Sequence, residues 1–286
     1  MFKHVFVQHY LIRLLIVFVL GSALFALFTF MMFRIGLFEL QDPFYKWFRD
    51  VAAGKITMVT SYFYRIVLPE HLLIAPGVLV VLSLLMRDEK HHPMWRVLLL
   101  SGLIILVLNF SRAYMLGLFA GTCILLYKHT FKEWTKEAVW AGSMFICIFT
   151  CISVASSLGT SLGLEIMGVR VGSFINPSIE ESTTTRMELL APIYRKIGEH
   201  PLLGSGLGST LDLQATASLP ARETNQYDWG YLEMFAEFGA IGFIYYMLLI
   251  TLILIEMVKK ISNVPDFHDL KVGIFAGTVC LLIINI

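Results

Sequence analysis

The chain has 286 residues, 57% hydrophobic and only 15% charged, with a formal net charge of +1 and a mean hydropathy of +0.73. Soluble domains carry about 45–50% apolar and about 25% charged residues, so an ordinary soluble domain is excluded and an integral membrane protein is expected. The near-zero charge leaves no basic field for nucleic acid.

A spanning helix needs about 20 mostly apolar residues. Leu14–Phe33 carries no charge and is the first expected span. Residues 34–71 mix charges with Trp47, Phe48, Tyr62, Phe63 and Tyr64, which suits an interfacial segment. A second span is expected over Ile66–Met86, with Pro69 and Pro76 in its outer half.

Val97–Phe110 and Ala113–Tyr127 are both apolar and are separated only by Ser111-Arg112. One continuous helix of about 31 residues would measure about 46 Å against a hydrocarbon core of about 30 Å. It would also hold Arg112 mid-membrane at a cost of at least about 3 kcal/mol. The flanking loops are both basic, with Arg87, Lys90 and Arg96 before and Lys128, Lys132 and Lys136 after. Short basic loops belong on the cytoplasmic side, so the chain is expected to cross twice and turn at Arg112.

Ala138–Leu158 is the next expected span and is followed by the polar stretch 159–229. A helix from Tyr231 continues as the span Ala240–Val258, Lys259, Lys260 and Lys271 mark another inner loop, and Val272–Ile286 starts a last span. The expected fold is an all-α integral membrane protein of about seven spans, N-terminus inside, with one long extracytoplasmic loop containing short amphipathic helices. Its divisions are N-terminal helices over 1–158, a catalytic loop over 159–229 and C-terminal helices over 230–286. The last run stops in mid-span, so a longer protein is expected. The four cysteines, Cys123, Cys147, Cys151 and Cys280, fall inside apolar runs. They are expected as small core residues, not as disulfides or metal ligands.

Candidate chemistry gathers in the polar stretch. Arg112 suits a phosphate or pyrophosphate, because a guanidinium is always charged and binds such groups bidentately; it equally suits a snorkelling helix end. In Ser182-Thr183-Thr184-Thr185-Arg186 the threonines offer N-caps for a helix opening at Arg186. Met187, Leu190, Tyr194 and Ile197 would form its apolar face, and Arg195 and Lys196 its solvated one. His200-Pro201 is expected to end this helix. Gly204, Gly206 and Gly208 permit a tight path, but no strand precedes them, which argues against a nucleotide loop. Asp228 reads as an N-cap of the following helix, as a general base, or as both. Glu233 and Glu237 share one helix face, and Gly239 and Gly242 allow close packing at a bend.

The order of these features resembles the O-antigen ligase and O-antigen polymerase superfamily over roughly Val97 to Val258. The resemblance rests on Ser111-Arg112 at the outer end of a helix pair, Arg186 after small polar residues, and His200-Pro-Leu-Leu-Gly-Ser-Gly-Leu-Gly208. A polar site ten or eleven residues before Gly239-x-x-Gly242 completes it. The resemblance implies an inverting, metal-independent glycosyltransferase, without a cofactor, at the outer face of the bacterial inner membrane. Its substrate would be an undecaprenyl-diphosphate-linked oligosaccharide among membrane lipids, with a chain-length regulator and a flippase as further partners. It implies Arg112 and Arg186 as diphosphate ligands, Arg186 and Asp228 as catalytic groups, and His200, Arg195, Glu223, Glu233, Gly204 and Gly206 as supporting residues. Ligases carry a histidine where this chain has Asp228, so a polymerase is favoured over a ligase. A transporter should place charge within several spans, whereas here charge gathers in one outer stretch. Arg112, Arg186 and Asp228 are expected to converge on one external cavity.

Overall fold

A computed structural model describes residues 2–87, 93–175, 181–213, 222–224, 227–263 and 268–285. The chain is mostly helical and divides into two compact units, Met1–Ile166 with Val264–Ile284, and Met167–Asn263 with the last two residues. Among the described residues, three helical segments are long and apolar enough to cross a membrane: Arg13–Arg34, Phe131–Ser156 and Gly230–Ile261.

The first unit holds α1 (Phe2–Arg34), α2 (Pro43–Asp50), strands β1 (Lys55–Thr60) and β2 (Phe63–Val67), α3 (His71–Arg87), α4 (Pro93–Asn109), α5 (Arg112–Lys128), α6 (Phe131–Ser156) and α10 (His268–Ile284). Helices α3, α4, α5 and α10 have 17 residues each, or about 26 Å at 1.5 Å per residue. The chain turns as expected between α4 and α5, where Phe110 takes a positive φ of 38°.

Side-chain contacts match the helix ends. At one end, the Nε of Arg34 on α1 donates to the carbonyl of Ser156 on α6, and the Nε of Arg65 on β2 donates to the carbonyl of Asn109 on α4 at 2.8 Å. Aromatic rings fill this end: Phe63 lies 5.5 Å from Phe30 and 6.5 Å from Phe110, and Phe110 lies 5.1 Å from Phe149. At the other end, the Ser83 hydroxyl donates to the carbonyl of Asp269 (2.7 Å) and lies 3.0 Å from His129 Nε2. Helices α1, α4, α6 and α10 therefore run one way, and α3 and α5 the other.

Two further features hold the bundle. Gly277 on α10 lies against Pro76 and Gly273 against Val80, where an added Cβ would meet atoms at 2.9 and 2.7 Å. Between lipid-embedded helices such small residues admit close backbone packing, because the tails supply no hydrophobic drive for association. Arg96 on α4 pairs with Glu137 on α6 at 2.6 Å, and its guanidinium stacks 4.2 Å above Trp140. Glu137 is almost fully buried. Helix α6 opens on a capping box between Thr130 and Glu133.

Three expectations are corrected here. The fold is not purely helical: β1 and β2 form an antiparallel hairpin in which Ile56 faces Ile66, and a second hairpin lies in the other unit. The hairpin draws residues 55–67 into pairing, so α3 starts at His71, not Ile66, and Pro69 lies outside it. Of the four cysteines only Cys280 is buried; Cys123, Cys147 and Cys151 lie on outward faces of α5 and α6.

Helix α7 (Leu164–Ile175) crosses the boundary between units. The second unit then holds α8 (Glu181–Glu199), β3 (Leu211–Leu213), β4 (Arg222–Thr224) and α9 (Gly230–Asn263). Strands β3 and β4 pair antiparallel, with Asp212 opposite Glu223.

Candidate functional site

The site is built around a break in α9. With 34 residues, or about 51 Å, α9 exceeds the hydrocarbon thickness. Gly239 interrupts it at φ 65° and ψ −174°, a conformation open essentially to glycine alone. We take the spanning part as the apolar run beyond this residue, which leaves Glu233 and Glu237 before it.

A helix break orphans carbonyls on one side and N–H groups on the other, and buried orphans are costly. The loop after α8 takes up these groups. Ser205 N–H donates to the Ala236 carbonyl (2.9 Å) and Gly206 N–H to the Glu237 carbonyl (3.0 Å). Conversely, Ala240 N–H donates to the Pro201 carbonyl (2.9 Å) and Ile241 N–H to the Leu202 carbonyl (3.2 Å). The side chain of Glu237 adds a fifth bond by accepting from Gly208 N–H at 2.7 Å. The two backbones touch so closely that a Cβ on Gly204 would lie 2.2 Å from the Glu237 carbonyl oxygen, and one on Gly239 2.4 Å from the Leu202 carbonyl. Gly204 and Gly239 are therefore required by contact as well as by their positive φ. Gly206 has a positive φ too, with open space around it.

Helix α8 packs on the start of α9 through Leu189 and Ile193, which are buried with Tyr227 and Ala236; Ile197, Trp229 and Leu232 pack around them. Residues 189, 193 and 197 follow the i, i+4, i+8 spacing of one helix face. The face that packs on α9 is offset from the apolar face expected from the sequence: Met187 and Tyr194 are exposed, whereas Ile197 packs against the cluster. Contact with α9, which the sequence pattern of α8 does not contain, selects the face. The helix runs through Pro192 and ends at Glu199 just before His200-Pro201, as expected.

Arg186 does not open the helix. The described helix already includes Glu181, so Arg186 sits in its second turn and is exposed. The threonines thus lie within the helix, and their side chains fall outside the described ones. Trp229 ties this turn to the segment before α9: its indole N–H donates to the Arg186 carbonyl at 2.9 Å.

Asp228, next to Trp229, is exposed and sits in the left-handed region at φ 56°. Asp tolerates that region better than most residues. It is not the N-cap. The carbonyl of Trp229 accepts the first intrahelical bond, from Glu233 N–H at 2.8 Å, so Asp228 stands one residue earlier. Burial, and then the negative charges of Glu237 and Asp228, push the Glu233 carboxyl above the ordinary carboxylate range. Tyr227 is buried beneath them, its hydroxyl donating to the Ser209 carbonyl (3.0 Å) beside the Ser209 hydroxyl (2.7 Å). Burial pushes its phenol up.

The Trp229 bond thus places the second turn of α8, which carries Arg186, beside the segment that carries Asp228, and Glu233 feels the charge of Asp228. His200 and Arg195 are exposed on and after the last turn of α8. Glu223 lies on β4, and its side chain falls outside the described ones. Arg112 belongs to the first unit, at the first position of α5, after an N-cap Ser111 that makes no side-chain cap bond.

Residues 97–247, more than half of the chain, match the family of O-antigen ligases. The chain belongs to the O-antigen ligase family. The family comprises glycosyltransferase-like membrane enzymes, both ligases and polymerases, that act on lipid-linked oligosaccharides. The match begins near the start of α4 and ends past the break in α9, so Arg112, Arg186, the glycine loop and Asp228 all lie within it. No curated protein and no solved structure matches the chain.

Proposed function

We propose that this member of the O-antigen ligase family is a polysaccharide polymerase. It joins oligosaccharide repeat units carried on undecaprenyl diphosphate at the outer face of the bacterial inner membrane. The acceptor hydroxyl oxygen attacks the anomeric carbon, the bond from that carbon to the diphosphate oxygen breaks, and the electron pair leaves on the diphosphate. Arg186 stabilises this growing charge; a fixed cation aimed at developing charge lowers a barrier more than flexible solvent does. The Asp228 carboxylate takes the hydroxyl proton.

The observation that carries the reading is the Trp229–Arg186 bond, which holds a cation-bearing turn next to a carboxylate-bearing one in a segment leading into a membrane helix. A carboxylate at the position where ligases carry histidine favours the polymerase.

The test is the full gene in a polymerase-deficient host, with surface glycan length read on a gel. Wild type restores a ladder, whereas Arg186→Ala and Asp228→Asn at matched membrane levels leave single repeat units. A ladder that survives both substitutions removes these residues from the mechanism. No ladder with the cognate repeat unit present, but transfer of single units to another acceptor, turns the reading to a ligase.

A further inference from the structure

The loop that closes the break in α9 presents leucine to its surroundings. Leu202 is 63% exposed, and Leu203 and Leu207 are each 77% exposed. The buried cluster of the second unit, built on Leu189, Ile193, Leu211, Tyr227 and Ala236, takes up none of the three. Leucines exposed singly need no explanation. Here three stand within one short loop whose backbone is pinned to α9, so they form a fixed apolar edge.

Where this edge stands on α9 decides what it meets. The N–H groups of Ala240 and Ile241, the first residues past the break, donate to the carbonyls of Pro201 and Leu202. Leu202 therefore lies level with the first turn of the apolar run. Ile241, Ile244, Tyr245 and Leu248 on that run are exposed in their turn, which is the surface of a helix in contact with acyl chains. The leucines continue this surface at the level where the helix enters the membrane. Arg195 and Lys196 stand at the end of α8 just before the loop, with Glu199 beside them. Cations next to an apolar edge are the pattern of a segment lying in a phospholipid interface.

Irregular backbone is barred from lipid because its polar groups go unsatisfied there. This loop escapes that rule. The carbonyls of Pro201 and Leu202 and the N–H groups of Ser205, Gly206 and Gly208 are all bonded to the broken helix. We propose that the 200–208 loop is a membrane-inserting element: Leu202, Leu203 and Leu207 enter the acyl-chain region of the leaflet that α9 enters at Gly239, with ordinary phospholipid as their partner. The proposal is independent of the choice between polymerase and ligase.

The test uses the full chain with its four cysteines replaced by alanine, in nanodiscs of phosphatidylcholine and phosphatidylglycerol free of polyprenyl lipid. Leu203→Cys and Leu207→Cys, made singly and each retaining the parent Tm, carry an environment-sensitive fluorophore. Phosphatidylcholine with a nitroxide on its acyl chain quenches both labels several-fold more than aqueous iodide does. Asp212→Cys, at an exposed residue of β3, shows the reverse order. Labels at 203 and 207 that are quenched by iodide and untouched by the nitroxide overturn the proposal. Labels shielded from both quenchers, with energy transfer between two labelled copies, assign the edge to a second copy of the chain and overturn it too. So does a label that reaches the nitroxide only after undecaprenyl diphosphate is added, which assigns the edge to the substrate lipid.

Discussion

The indole N–H of Trp229 lies 2.9 Å from the carbonyl oxygen of Arg186, forty-three residues away in the chain. It joins the second turn of α8 to the segment that precedes α9, where Asp228 takes a left-handed φ of 56°. Replacing Trp229 by Phe keeps most of the ring packing against the buried cluster around Ile193 and removes only the donor. A neutral hydrogen bond contributes about 0.5–1.5 kcal/mol net, so Tm in detergent falls only slightly. On the proposed function, polymer formation by Trp229→Phe falls several-fold or more, because the bond ties the turn that carries Arg186 to the segment that carries Asp228. Unchanged ladder length and yield at matched expression would show that the tie is dispensable.

Gly239→Ala is expected to disrupt the site. The backbone at φ 65°, ψ −174° costs an alanine about 1–3 kcal/mol, and its Cβ would sit 2.4 Å from the Leu202 carbonyl. Limited proteolysis near residues 200–209 reads the effect: wild type resists cleavage there, and Gly239→Ala is cut. Gly206→Ala, with open space around it, retains more resistance than Gly239→Ala.

Asp228→Asn removes one of the negative neighbours that push Glu233 up. A like charge disfavours the ionised form, so its removal lowers the Glu233 pKa toward the ordinary value of 4.5. Carboxyl-stretch infrared titration, with Glu233→Gln as the subtraction reference, therefore shows the Glu233 midpoint moving to lower pH in Asp228→Asn. By linkage, a raised carboxyl pKa costs stability as pH rises through it, and the variant recovers part of that loss. A midpoint that does not move would separate the two carboxylates.

At the other end of the first unit, Glu137→Ala leaves Arg96 without its partner in a nearly closed pocket. Breaking a buried pair on one side costs about 3–5 kcal/mol, and thermal unfolding in detergent checks it. The double change Arg96→Met with Glu137→Met is expected to recover much of that loss, because it removes both desolvated charges. Should the double variant be no better than Glu137→Ala, the stacking of Arg96 on Trp140 stabilises this end more than the buried charges cost it.

Several turns around the candidate site were legible in the sequence, but the contacts that hold them were not. Helix ends at His200-Pro201 and between Phe110 and Arg112 follow from proline sterics and the cost of a mid-membrane charge, both local rules. The bend at Gly239 was legible as well. What made it necessary lay thirty-five residues away, since the loop from Pro201 to Gly206 and the broken helix satisfy each other's backbone groups. Asp228 read as a cap because it is a good capping residue near a helix start; the left-handed turn gives that place to Trp229 instead. Which face of α8 packs on α9 was not legible, because apolar residues lie on more than one side of the helix and only the partner helix selects Leu189 and Ile193. The β1–β2 hairpin was missed: residues 34–71 read as an interfacial segment, although Ile56, Thr57, Val59 and Thr60 before Ser61-Tyr62 are strand-forming residues before a turn.

The break at Gly239 and the loop docked into it act as a splint. Pulling the loop away would strand four main-chain groups, the carbonyls of Ala236 and Glu237 and the N–H groups of Ala240 and Ile241, at the edge of a lipid phase that offers them no substitute. The loop and the top of α9 therefore travel as one piece. Any opening that admits a long glycan must come from hinges outside them.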